Sequence, residues 1–286
     1  MATATKKAAS KKTPGTGLAK WDEQLAKYAQ EAAATEANTG AGLKTFSLKS
    51  GVLSLDDQAM PGNEMAVIVL DHVLENIHYG TGWDADNPTP PVCFAFGRDE
   101  TIAPHKNVVE RGQQQHDKCA GCPMNEYGTA ERGRGKACAN KRRLLCIPAG
   151  TFTKQGEFKF IDDVEHYEDA QPAFLKLPTT STTAWALYVK QLAGALRRPP
   201  FAVVTKIKVV PDAKSTFKVQ FEAIQELDDE DLMEVLIKRH EEARKLIEQP
   251  YNLDAEEQEE KPKGKGGAKG KPAAKKAPVK TARKKY

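Results

Sequence analysis

Residues 119–145 read CAGCPMNEYGTAERGRGKACANKRRLL. Cys119-Ala-Gly-Cys122 is a C-x2-C knuckle: a turn opened by Gly121 and stiffened by Pro123 can bring its two thiolates onto one tetrahedral ion. Fifteen residues separate Cys122 from Cys138, within the spacing of paired zinc-ribbon knuckles. Three ligands follow from type and spacing, and the fourth has three candidates: Cys93 upstream, His116 just before the knuckle, and Cys146 after it. Cys146 lies in the apolar run LLCIP, where a cysteine behaves as a small buried hydrophobe. His116, in QQQHDK, has the setting of an ordinary exposed histidine. Cys93 follows a proline break, where a strand end can meet the knuckle. The expected set is Cys93, Cys119, Cys122 and Cys138.

Four protein ligands leave no open coordination position, so the ion is expected to be structural. Zinc is the expected metal, and a four-cysteine set also suits an iron–sulfur cluster, which spacing does not distinguish. The neighbouring sequence needs such a fastening. From Gly97 to Lys141 the chain is rich in Gly, Gln, Asn and charge with little periodicity, a long loop for a compact domain. Metal ligation supplies folding free energy where apolar surface is scarce.

The same stretch reverses the local charge. Between Glu131 and Leu145 stand Arg132, Arg134, Lys136, Lys141, Arg142 and Arg143 against Glu131 alone. Arg can grip phosphate in a forked geometry or stack on bases, and Gly133 and Gly135 let the backbone approach closely. GRGK is not a phosphate-loop signature, because G-x-x-x-x-G-K-[ST] is missing. Phe94 and Phe96 near Arg98, Phe158 and Phe160 around Lys159, and Phe217 beside Lys218 mix rings with cations, as do strand faces that hold single-stranded nucleic acid. Aromatics at period two more often line a core. Lys159, Lys206 and Lys208 join the loop cations as the expected nucleic-acid contacts.

Outward from the knuckle, TFSLKSGVLSL reads as two short strands, NEMAVIVLDHVLENIHY as a long one, and VCFAF, RRLLCIPAG and GEFKFI as three more. FAVVTKIKVV and FKVQFEAI, joined by the turn-rich PDAKST, form a hairpin. WDEQLAKYAQEAAATEA has helical spacing. TTSTTAWALYVKQLAGALRRPP also reads as a helix, with Ser181 or Thr182 as cap and Pro199 as stop. A last helix opens at the acidic DDED and runs through Leu246. These elements predict an α+β fold: a small OB-like β-barrel or sheet with a zinc-ribbon-like insertion and a C-terminal helix.

With 286 residues, 40% hydrophobic and 29% charged, the chain can bury a core, yet no apolar run reaches the roughly 18 residues of a bilayer crossing. The net charge of +4 hides a partition. Met1 to Lys20 carries five Lys and no acid, Lys261 to Tyr286 carries eleven Lys/Arg and no acid, and the segment between them holds all 39 acids against 27 bases. Such tails suit polyanions. Three regions are expected: 1–43, a basic leader with a short helix; 44–248, the binding core; and 249–286, an acidic-then-basic tail. An odd number of cysteines and a leader without a secretory apolar stretch argue against disulfides and for a cytoplasm.

The run from Cys119 to Leu144, with Cys93 upstream and the later PAFLKLPTTSTTAWALYVKQLA and FAVVTKIKV, resembles a family of cysteine-bearing bacteriophage and prophage proteins across roughly Lys44 to Leu246. These in turn resemble zinc-containing phage single-stranded DNA-binding proteins. The resemblance implies a non-enzymatic protein of replication or recombination in a bacterial host's cytoplasm, with single-stranded DNA and replication or recombination proteins as partners and no membrane. Two other functions are a metal-stapled adaptor for a host protein and an iron–sulfur or zinc nucleic-acid-processing enzyme. Asp162, Asp163, Glu165 and His166 are the only crowded acid set such an enzyme could use, and they read as a solvated turn.

Overall fold

The computed structural model describes residues 44–56, 58–80, 89–131, 133–153 and 155–253, with Gln24 and Tyr28. Of the expected first helix, only those two residues are described; both are helical and exposed. The rest of that helix, Arg132 and both basic tails lie outside the described residues.

The chain runs through β1 (Lys44–Ser47), β2 (Ser54–Leu55), β3 (Gln58–Ala59), β4 (Glu64–His78), β5 (Cys93–Gly97), α1 (Lys106–Glu110), β6 (Cys138–Phe152) and β7 (Phe158–Phe160). It continues through α2 (Val164–Asp169), β8 (Ala173–Leu177), α3 (Thr182–Gln191), β9 (Val203–Asp212), β10 (Thr216–Glu226) and α4 (Glu230–Leu246). The fold is α+β. All ten strands join one sheet in the order β10-β9-β4-β6-β8-β1-β2-β3, with β5 added to β4 and β7 to β6. Only β1 and β8 pair in parallel, and the mixed sheet curls into a half-barrel.

β4 organises this sheet because its first half, Met65 to Leu70, is apolar at every position and can be covered on both faces. Met65, Val67 and Val69 join Leu144, Cys146, Leu175, Trp185 and Ile207 in one core, against α3. Ala66, Ile68 and Leu70 join Leu145, Ile147, Tyr167, Leu232 and Leu236 in the other, against α2 and α4. The ladder with β6 then slips: Val69 faces Cys146 and Asp71 faces Leu145, leaving Leu70 as the extra residue of a bulge. Beyond it Leu74, Asn76 and His78 face the α3 side, while Val73, Glu75 and Ile77 face the α4 side.

α4 starts where the sequence places it, whereas α2 stands in place of the solvated turn expected over Asp162 to His166. Asp229 accepts from the Leu232 N–H at 2.9 Å to cap α4, and Asp163 accepts from the Glu165 N–H at 3.1 Å to cap α2. α3 differs. The Ser181 hydroxyl does not cap it, because it accepts from the Val219 N–H of β10 and so pins the helix start to the hairpin. Its last turn widens into a π-helix over Leu192–Leu196, closed by Arg197 in the left-handed conformation ahead of Pro199. The expected long loop is also shorter at its end, since β6 begins at Cys138 rather than after Lys141. The phenylalanines read as a candidate stacking face pack inward: Phe94 is buried, and Phe158, Phe160 and Phe217 lean on the two cores.

Candidate metal centre and nucleic-acid interface

Sheet register brings Cys93 and Cys138 together. His78 pairs with Cys93 on β5 and with Cys138 on β6, so the three side chains leave one face of the sheet side by side. The knuckle closes over that face. Cys119 N–H bonds to the Ile102 carbonyl, Cys122 N–H turns back to the Cys119 carbonyl, and Gly121 supplies the left-handed conformation at φ 78° that the turn requires. The result is a cavity of about 10 Å³ lined by Cys93, Cys119, Cys122 and Cys138, with Asn76 and His78. Cys146 lies elsewhere, fully buried in the α3-side core. All five cysteines are free thiols.

Donors aim at these sulfurs. The Gln115 backbone N–H reaches Cys93, and the Asn76 amide reaches Cys119. The Asn76 amide is held in that sense because its Oδ1 accepts from Asn140 Nδ2 at 2.7 Å, leaving Nδ2 for the sulfur. Burial and the neighbouring cysteines push the Cys93 and Cys138 thiols up, Cys138 to about 12, while Lys136 pulls Cys138 slightly down. Burial does the same to Cys119, opposed by Asn76. Burial and mutual repulsion therefore favour the neutral thiols, and a cation among them would offset both and favour the thiolates. As the described residues stand, no three His, Cys, Asp or Glu side chains are placed to hold a metal ion, so ligation would have to draw the sulfurs inward.

Sequence reasoning missed His78. Its Nδ1 donates to the Ala137 carbonyl at 3.3 Å and the residue lines the cavity, but no spacing motif flags a histidine at a strand end. His116 also lines the cavity, at its exposed side.

The expected nucleic-acid contacts separate into three groups. Arg134 is exposed, and Lys136 lies 5.0 Å over the ring of Tyr127, itself 83% exposed. Lys136 is steadied by Asn125, whose amide also donates to the Cys119 carbonyl, so the ring and its cation are tied to the knuckle. Lys159 is exposed and Lys141 half-buried. Lys206 and Lys208 are not free cations: both reach Glu64, at 3.2 and 2.9 Å. Burial pushes the Glu64 carboxyl up, but the hydrogen bonds and charges of these two lysines outweigh it and hold the group below its ordinary value.

Arg143 leaves the interface altogether. Adjacent strand residues point to opposite faces, so Arg142 faces α3 while Arg143 turns inward on the α4 side with 3% of its side chain exposed. Its Nε donates to Glu75 at 2.8 Å, and its Nη1 to the Ile247 and Gln249 carbonyls. Phe96 lies 4.1 Å beneath the guanidinium, and the Tyr251 hydroxyl donates to the same Glu75 oxygen at 2.8 Å. Desolvation and Glu75 push the Tyr251 phenol far above its ordinary range. This buried group fastens the chain after α4 to the sheet.

Of the expected crowded acid set, Asp163 caps α2, and His166 Nε2 donates to the Pro148 carbonyl at 3.0 Å. No helix among the described residues is long and apolar enough to cross a membrane. Compared with family models, curated proteins and solved structures, the chain finds no match.

Proposed function

We propose that the protein is a phage-type single-stranded DNA-binding protein of replication or recombination whose exposed loop is fastened by one zinc ion on Cys93, Cys119, Cys122 and Cys138. The reading is supported above all by the convergence of those four cysteines, from three separate segments, on one cavity with room for about a single ion. What the ion would fasten is suited to nucleic acid: an exposed tyrosine for stacking, with a lysine over its ring and an arginine beside it in the chain. The metal holds shape and leaves no open position for chemistry. The curled sheet suits the OB-like and zinc-ribbon-like descriptions, which belong to this proposal, as do the bacterial cytoplasm and the replication partners.

Metal analysis of the full chain together with oligonucleotide binding tests the reading. Expected are one zinc per chain, no visible cluster absorbance, and salt-sensitive binding to a thymidine oligonucleotide. Arg134→Ala with Lys136→Ala should weaken binding and lower the salt slope by about 0.7 for each phosphate no longer neutralised. A protein without bound metal, with a melting point indifferent to chelator, overturns the zinc site. Zinc without oligonucleotide affinity favours the adaptor, and a brown iron-containing protein favours the cluster.

A further inference from the structure

On the same sheet face as the cysteine cavity, side chains of α3, β4 and β6 line a groove of about 290 Å³ whose cations are Arg98, Arg142 and Lys190. Trp185 and His72 form its inner wall, with ring centroids 5.3 Å apart and planes at 76°. The charges are not equivalent. Arg98 is engaged by Asp71 through two bonds, at 2.9 and 2.6 Å. Arg142 is half-buried and meets only the Lys141 carbonyl, at 3.1 Å, and neither it nor Lys190 has a carboxylate partner among the described residues. Burial pushes the Arg142 guanidinium below its ordinary range, with no opposing carboxylate. The His72 ring, also lowered chiefly by burial, adds no charge to offset at neutral pH. The buried Trp185 Nε1 has no acceptor either.

A guanidinium half-withdrawn from water without a counter-charge costs free energy in the unliganded protein, and a bound anion recovers it. No carboxylate lines the groove among the described residues, and Asp71 is already committed to Arg98, so the groove's net charge is positive. Its walls, Leu74, Ala186 and Val189, are apolar, as suits the sugar or base that accompanies a phosphate. Position matters as well. Cys138, Asn140 and Arg142 share one face of β6, which puts the groove about 13 Å along the strand from the cysteine cavity.

We infer that the groove between α3 and the β4–β6 face is a phosphate-binding subsite, with Arg142 and Lys190 as its free cations, that receives the backbone of the strand whose bases reach Tyr127. The inference rests on the proposed DNA-binding function for the source of the phosphate, a diester in a strand as opposed to a free nucleotide or inorganic ion. Its chemistry stands on the groove alone.

The experiment is titration of the full-length, metal-loaded protein with a twelve-residue thymidine oligonucleotide and, separately, with inorganic pyrophosphate. It is followed by the indole N–H resonance of Trp185, assigned with Trp185→Phe, and by binding at several salt concentrations. The oligonucleotide should shift that resonance, and Arg142→Gln with Lys190→Gln should abolish the shift and lower the salt slope by about 1.4, for two phosphates of a single strand left without a cation. Retained folding of that variant is checked by its melting point. Oligonucleotide binding with an unchanged slope and a silent Trp185 in the double variant overturns the subsite and leaves the proposed function standing. Pyrophosphate shifting Trp185 while the oligonucleotide does not bind supports the phosphate chemistry and overturns the DNA reading. Silence to both probes overturns the inference.

Discussion

Two parts of the molecule are held by different means. The central sheet keeps its place by oil on both sides: 17 buried side chains pack beneath α3 and 15 beneath α2 and α4. The excursion from Arg98 to Ala137, some forty residues, packs among the described residues only a small cluster, its Ile102 and Cys119 with Ala95 and Leu74 of the sheet, plus the buried Val108 of α1. A segment that long cannot offset its ordering entropy with so little apolar burial. What it has instead is thiols, amide donors and a cation-π pair. Regular structure marks where hydrophobic burial does the holding, and cysteine spacing marks where something else must.

Chelation should break the contrast most sharply. Under the proposed function, removal of the zinc, or Cys119→Ala, is expected to cost the excursion on the order of 10 kcal/mol, the scale of structural zinc sites. Hydrogen exchange should then show lost protection from 98 to 137, while the amides of Val67 to Val69 and Leu144 to Ile147 stay protected. Uniform loss across both regions would mean that they are one cooperative unit.

Next in size is the buried ion pair behind the cysteine face. Glu75→Gln strips Arg143 of its counter-charge and should cost about 3–5 kcal/mol in urea unfolding. Glu75→Leu with Arg143→Met should recover much of it, because the pair itself is weak evidence for stability.

Lys176 sharpens the comparison through pH. It lies 4.4 Å over the Tyr251 ring, and burial pulls its pKa down to about 8, against the attraction of Glu75. The unfolded chain therefore binds the proton more tightly between about pH 8 and 10.5, so the charged folded form carries a penalty below pH 8 that is relieved as pH rises through this window. Lys176→Met should be more stable than the parent at pH 7 by up to about 3 kcal/mol, and the gap should close by pH 10.5 in denaturant titrations.

Smallest is Cys146→Ala. It removes one buried sulfur from the apolar core and should cost about 1 kcal/mol in melting experiments with the metal content unchanged. Lost zinc would return Cys146 to the ligand set.

Much of this was legible in the chain. Most strands showed through alternation and unbroken apolar runs, and α4 through Asp229 and the acids behind it, but β8 and the short helices α1 and α2 did not. The grouping of the knuckle with Cys138 came from residue type and spacing and the choice of Cys93 from the proline break before it, and the cavity collects those four while leaving Cys146 in the core. What stayed hidden was long-range. Glu75 and Arg143 are 68 positions apart, and an arginine within NKRRLL reads as surface until strand alternation sends one of the pair inward. The pairing of Lys206 and Lys208 with Glu64 depends on which strand lies beside β9, and no local pattern records that. The π-turn after α3 has helical spacing throughout and leaves no trace in composition.

The bulge at Leu70 behaves as a parity switch. Odd positions before it and even positions after it look toward α3, so a ladder that ran in register through that leucine, with no bulge, would turn Asn76 and His78 away from the sulfurs and swing Glu75 into their place. A carboxylate among four thiols would be the worst tenant for that cavity. Single-residue insertions and deletions between His72 and His78 should therefore be far less tolerated than substitutions there, in any library screened for folded protein, whereas deletion of Leu70, which only straightens the ladder, should keep the facing of every later residue.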